Sequence, residues 1–92
     1  IQGGAVAHAH TVRGMGLREG DIAEPLGALA KARPEVSFGS YPFMRLNGKN
    51  TEFGVNLVAR CRDPDLIATS LDALVEIVKA QGVKPEIDPK KD

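Results

Sequence analysis

The chain has 92 residues, is 42% hydrophobic and 26% charged, and sets 12 Lys plus Arg against 12 Asp plus Glu. That length supports one domain around one core, and the balanced charge argues against a dedicated nucleic-acid binder, which usually carries a basic excess. A single cysteine excludes an intrachain disulfide framework and a cysteine-based zinc finger, and no apolar run approaches the roughly 18 residues of a membrane span.

The chain opens on Ile1 and its first Met is Met15, so it reads as a piece of a longer protein. Residues 1–12 lack the charged and apolar regions of a signal peptide. Residues 5–13 read as a strand, with Val6, His8, His10 and Val12 on one face. Gly14, Gly16 and Gly20 then break it. From Asp21 to Arg33, Ile22, Leu26, Leu29 and Ala30 fall on one helical face. Asp21 with Glu24 resembles a capping box. Pro25 sits awkwardly in that frame, so the regular helix starts either at Asp21 or near Pro25. Pro34 ends it.

Residues 35–43 alternate as a strand, with Val36 and Phe38 on one side and Ser37, Gly39 and Tyr41 on the other. Pro42 removes a ladder donor, so this strand stops there or lies at a sheet edge. Residues 44–51, with Asn47-Gly48, read as a turn-bearing loop. Residues 52–62 form the clearest strand. Phe53, Val55, Leu57, Ala59 and Cys61 share the face expected beneath the helices, and the alternation pairs this strand with 35–43 as a hairpin. Asp63-Pro64 is a helix start, Ile67, Leu71, Leu74, Val75 and Val78 repeat at helical spacing, and Gly82 is the stop. Residues 1–82 thus read as one α+β domain. Residues 83–92, with Pro85, Pro89, Lys90 and Lys91, read as a polar tail, with a short strand near Val83–Ile87 as an added element. The order predicts an α+β fold: a split β-α-β, ferredoxin-like or KH-like antiparallel sheet with two helices on one face.

Candidate chemistry is sparse. His8 and His10 share a strand face and could join Cys61 as metal ligands. No second metal-spaced pair supports them, and surface or interface histidines are the stronger reading. Cys61 lies on an apolar face, where a thiol behaves as a small hydrophobe rather than a nucleophile. Arg45, Lys49, Arg60 and Arg62 form the one basic grouping. Arg60 and Arg62 lie on the sheet side away from the helices, and with Tyr41 and Arg45 they are the candidate contacts for a phosphorylated ligand. A solvated face balanced by Glu52, Asp63 and Asp65 is the plainer reading. No two glycines lie three apart, so the backbone clamp of RNA-binding KH domains is absent. Nucleic acid is therefore not an expected partner. No residue stands out as catalytic and no metal set is assigned.

Several blocks carry a family likeness: Gly3-Gly4, Thr11-Val12-Arg13, Glu19 to Ala23 with Leu26 and Leu29, Pro34 to Phe43, Gly54 to Arg60, and the Asp63-led helix. Residues 3–82 resemble the α+β domain that follows the molybdopterin-binding-like domain in CinA-type competence/damage-inducible proteins. The molybdopterin-binding domains associated with FAD synthase look similar. Gly39-Ser40-Tyr41-Pro42 is the most specific block. The resemblance implies a KH-like accessory layer, non-catalytic itself, packing between domains or subunits in a cytoplasmic bacterial oligomer. It places phosphate binding and metal-dependent nucleotide pyrophosphate cleavage in a preceding domain. Molybdopterin, or a nucleotide with a divalent metal, is then a cofactor of the longer protein and not of this piece. Gly39, Ser40, Tyr41 and Pro42 become the expected interdomain seam, and the hairpin loop 44–51 a contact arm.

Overall fold

In the computed structural model, residues 7–89 are described. The elements run β1 (His8–Met15), α1 (Glu19–Ala32), β2 (Ser37–Asn47), β3 (Asn50–Cys61), α2 (Pro64–Ala80) and β4 (Pro85–Ile87). All neighbouring strands are antiparallel in the order β2-β3-β1-β4. This is the split β-α-β arrangement of the ferredoxin-like type. The expected α+β architecture is therefore the observed one.

Register explains which residues are buried. Val12 opposes Leu57, and His10 opposes Ala59, so the even positions of β1 share a face with the odd positions of β3. Both helices cover that face. Val12, Val55, Leu57, Ala59 and Cys61 form the core with Ile22 and Leu26 of α1 and Ile67, Leu74 and Val78 of α2. Leu57, Ala59 and Val12 have no exposed surface. Asp63 caps α2, its carboxylate accepting from the Asp65 and Leu66 amides at 2.9 and 3.2 Å. Gly82 follows the helix at φ +74°, the left-handed region that suits glycine.

Four expectations change. Phe53 lies on the core face but is 43% exposed, because the first rungs of β3 run beyond the end of the helix layer. Residues 44–51 are not a loop. The strands continue to Asn47 and from Asn50, closed by Gly48-Lys49 with Gly48 at φ +64°, the position a type II′ turn gives to glycine. Asp21 is not the cap of α1. The helix begins at Glu19 after Arg18, which makes no side-chain cap bond, and Asp21 stands in the first turn. Pro25 therefore lies inside the helix rather than at its start. Gly14 does not break β1 but belongs to it, opposite Val55, and the turn falls at Gly16, φ +86°.

Pro42 lies within β2, and β2 is an edge strand, so the edge alternative is the correct one. At the other edge, the short strand expected near Val83–Ile87 forms at Pro85–Ile87 and pairs with β1. The folded unit thus extends past Gly82 into the segment read as a tail. The expected strand start at residues 5 and 6 lies outside the described residues.

Candidate functional site

The face of the sheet away from the helices carries most of the candidate side chains. In β2 these are the odd positions and in β3 the even ones. Tyr41 is 59% exposed there, and its ring lies against Gly39, where an added Cβ would meet the phenol oxygen at 3.0 Å. Tyr41, Gly39, Val58 and Arg60 line a shallow pocket of about 120 Å³. Arg60 also lines a larger cleft of about 420 Å³ at the sheet end, with Arg62, Glu35, Asp63 and the Cys61 floor. Its lining holds two arginines and two carboxylates, so the cleft has no net charge from these four groups.

Arg45 stands apart. It donates from Nε to Glu52 Oε1 at 2.9 Å across the hairpin. Arg60 pairs with Ser37, eight residues from Arg45 along β2. At about 3.3 Å per residue the two are about 26 Å apart, so they do not reach one small ligand. The structure thus joins Tyr41 with Arg60 and Arg60 with Arg62, and separates Arg45.

The expected seam also divides. Tyr41 and Gly39 lie on the open face. Ser40 points to the helix side, where its hydroxyl donates to Glu19 Oε2 at 3.1 Å, tying β2 to the first turn of α1. Pro42 is exposed at the edge. Contiguity in sequence here means alternation in space.

Sequence reasoning missed a second feature of the open face. The guanidinium of Arg13 stands 5.4 Å from the Phe43 ring centroid, a cation–π distance. Its Nε also donates to Asn56 Oδ1 at 3.4 Å. Phe43 in turn lies over Gly54, where an added Cβ would meet the ring at 3.0 Å. The signal was available: carrying the alternation of residues 35–43 past Pro42 places Phe43 on the face of Tyr41.

The histidines part company. His8 sits opposite Cys61. His10 Nδ1 lies 2.8 Å from Asp88 Oδ2. Asp88 also accepts from the Thr11 amide at 2.8 Å and donates its own amide to the Thr11 carbonyl at 2.7 Å. Burial opposes the charged form of Asp88. The Thr11 bond, the His10 bond and the charge of His10 outweigh it, so the carboxyl titrates below its ordinary value. The Cys61 thiol donates to the Asp63 carbonyl at 3.3 Å. Among the described residues no group of three or more His, Cys, Asp or Glu is placed to hold a metal ion, and no helix is long and apolar enough to cross a membrane.

An open-faced ferredoxin-like layer, with its candidate side chains dispersed over one sheet face, defines a small accessory-type α+β domain. A model of the family described as FAD synthase, middle domain, matches residues 8–87, and the chain belongs to that family. The match bears out a small α+β domain and does not establish the CinA-type relationship read from the sequence. No curated protein matches the chain.

Proposed function

We propose that this domain is a non-catalytic interaction layer of a longer protein. Its open sheet face packs on a neighbouring nucleotide- or molybdopterin-binding-like domain, and its hairpin reaches toward a second subunit. The observation that carries the reading is the uncovered face itself. One side of the sheet lies under two helices, while the other leaves Tyr41 and a partly exposed Phe43 without a layer of their own. The CinA-like relationship, the cytoplasmic setting and the oligomer belong to this proposal. Hydroxyl-radical footprinting tests it. Tyr41 oxidation should be several-fold slower in the longer protein than in the 92-residue chain. Equal rates defeat the docking of this face.

A second reading rests on Arg60, which lines both the Tyr41 pocket and the Arg62 cleft. There it could contribute a bidentate contact to a phosphorylated ligand held mainly by the neighbouring domain. The double variant Arg60→Ala, Arg62→Ala in the longer protein should then weaken nucleotide or molybdopterin affinity about tenfold or more, the scale of one lost charge-assisted contact. Unchanged affinity and hydrolysis remove this reading.

A further inference from the structure

The shallow pocket beside Tyr41 differs from the larger cleft in its charge. Its lining is Ser37, Phe38, Gly39, Tyr41, Val58 and Arg60, so Arg60 is its one charged lining residue. The carboxylates of Glu35 and Asp63 line the cleft and not this pocket. No hydrogen bond or ion pair joins the side chains of Ser37, Tyr41 or Arg60 to another described residue. Three side chains with donors to offer, all exposed, therefore share one spot on the open face.

Register and a glycine bring them together. Ser37 opposes Arg60 and Gly39 opposes Val58, two rungs about 7 Å apart on the same face. Tyr41 stands one rung further along, yet its ring folds back along β2. A Cβ on Gly39 would meet the phenol oxygen at 3.0 Å and two ring carbons at 3.1 and 3.2 Å. The hydroxyl end of the ring thus lies over Gly39, toward the Ser37–Arg60 rung. Gly39 is not among the glycines with positive φ, so the backbone does not call for a glycine there. What its missing side chain provides is the seat of the ring, which stays 59% exposed above it. Phe43, the next ring on this face, already carries the Arg13 guanidinium, so Tyr41 is the ring left open for stacking.

We infer that this pocket binds the phosphate monoester of a flat heteroaromatic ring, a mononucleotide, with the ring stacked on Tyr41 and the phosphate on Arg60 and Ser37. The inference rests on the second reading above, in which Arg60 contacts a phosphorylated ligand, and it adds the ring site and with it the ligand class. A guanidinium fork donates two parallel bonds to a phosphate, and the Ser37 hydroxyl supplies a third donor. An aromatic side chain lying on a sheet face stacks a base whatever its identity. At about 120 Å³ the pocket is smaller than the about 300–1,000 Å³ of ligand sites that enclose their ligand. It grips one end of the nucleotide, and the neighbouring domain covers the rest.

NMR titration of the 92-residue chain with adenosine monophosphate at millimolar concentration tests this. The amides of Gly39, Tyr41, Val58 and Arg60 should shift saturably. Adenosine alone and inorganic phosphate alone should each bind at least about tenfold more weakly. Tyr41→Ala removes the ring, and Gly39→Ala displaces it without touching any charge. Each should weaken the nucleotide about tenfold, the scale of one lost stacking contact, and leave inorganic phosphate binding as it was. Their circular dichroism spectra should not change, because Tyr41 and Gly39 lie outside the core. Arg60→Ala should abolish binding of both nucleotide and phosphate. Absence of saturable shifts, shifts confined to residues away from the pocket, or a nucleotide bound no more tightly than phosphate each overturns the inference. Binding lost in Arg60→Ala but kept in Tyr41→Ala and Gly39→Ala also overturns it, and leaves the phosphate reading standing. Binding lost in the Tyr41 and Gly39 variants but kept in Arg60→Ala defeats both, since the phosphate contact is common to them.

Discussion

Gly54 carries no side chain, and the Phe43 ring takes the space above it. That vacancy seats Phe43 on the open face and lets Arg13 lie over it. Ser70 shows the opposite case: a polar residue with no exposed surface at the centre of α2. Arg33, at the C-terminal end of α1, donates from Nη1 to Thr69 Oγ1 at 2.7 Å and to Ser70 Oγ at 3.3 Å. The hydroxyl is satisfied and the two helices are tied together. Asp88 closes the β4 edge at φ +45°. Its carboxyl titrates below the ordinary aspartate value of about 3.9, so it adds stability at neutral pH that is lost as the pH falls through and below that value. Asn tolerates the same backbone conformation and keeps the Thr11 acceptor while removing the charge. Asp88→Asn should therefore lower the melting temperature at pH 7, with the difference from wild type closing below about pH 4. Thermal scans across that range decide it; parallel curves refute the role. None of these three residues announced itself in sequence, because each acts through a partner far along the chain.

At the scale of elements, α2 was legible because its signals are local. Asp63-Pro64 starts it, five apolar residues repeat along one face, and Gly82 ends it. For α1 the local signals misled. Asp21 and Glu24 have cap spacing, yet the helix starts two residues earlier without a side-chain cap and accommodates Pro25 within it. Packing of Ile22 and Leu26 into the core outweighs the lost amide at Pro25 and extends the helix through it. Proline in a helix interior costs up to about 3 kcal/mol relative to alanine, partly offset by its stiffening of the unfolded chain. Pro25→Ala should consequently stabilise the domain by about 1–2 kcal/mol in urea titration, with the m-value unchanged. A destabilised variant would show that Pro25 makes packing contacts worth more than the missing bond. The hairpin was half legible. Alternation along 52–62 fixed which side chains share a face, but Pro42 suggested a strand end where it marks an edge. The distinction depends on which neighbour β2 has, and that is a property of the sheet.

For the whole molecule, the long axis of 49 Å against 27 and 16 Å in the other directions follows from strands that outrun their helices. The β2–β3 rungs beyond Val55 have no helix above them, which is why Phe53 breaks the pattern of its face while Val55 two residues later is 1% exposed. The amino-acid sequence by itself determined the α+β class, the order of the elements and the identity of the apolar faces, because periods of two and 3.6 residues are written locally. Tertiary structure alone decided how far the helix layer reaches, which strand lies at an edge, and which charged groups meet. It drew Tyr41 and Arg60 together, sent Arg45 to Glu52, and closed His10 on Asp88 across 78 residues. Those outcomes depend on register and strand order, and both are set by how all the apolar faces are buried at once, not by any one segment's own pattern.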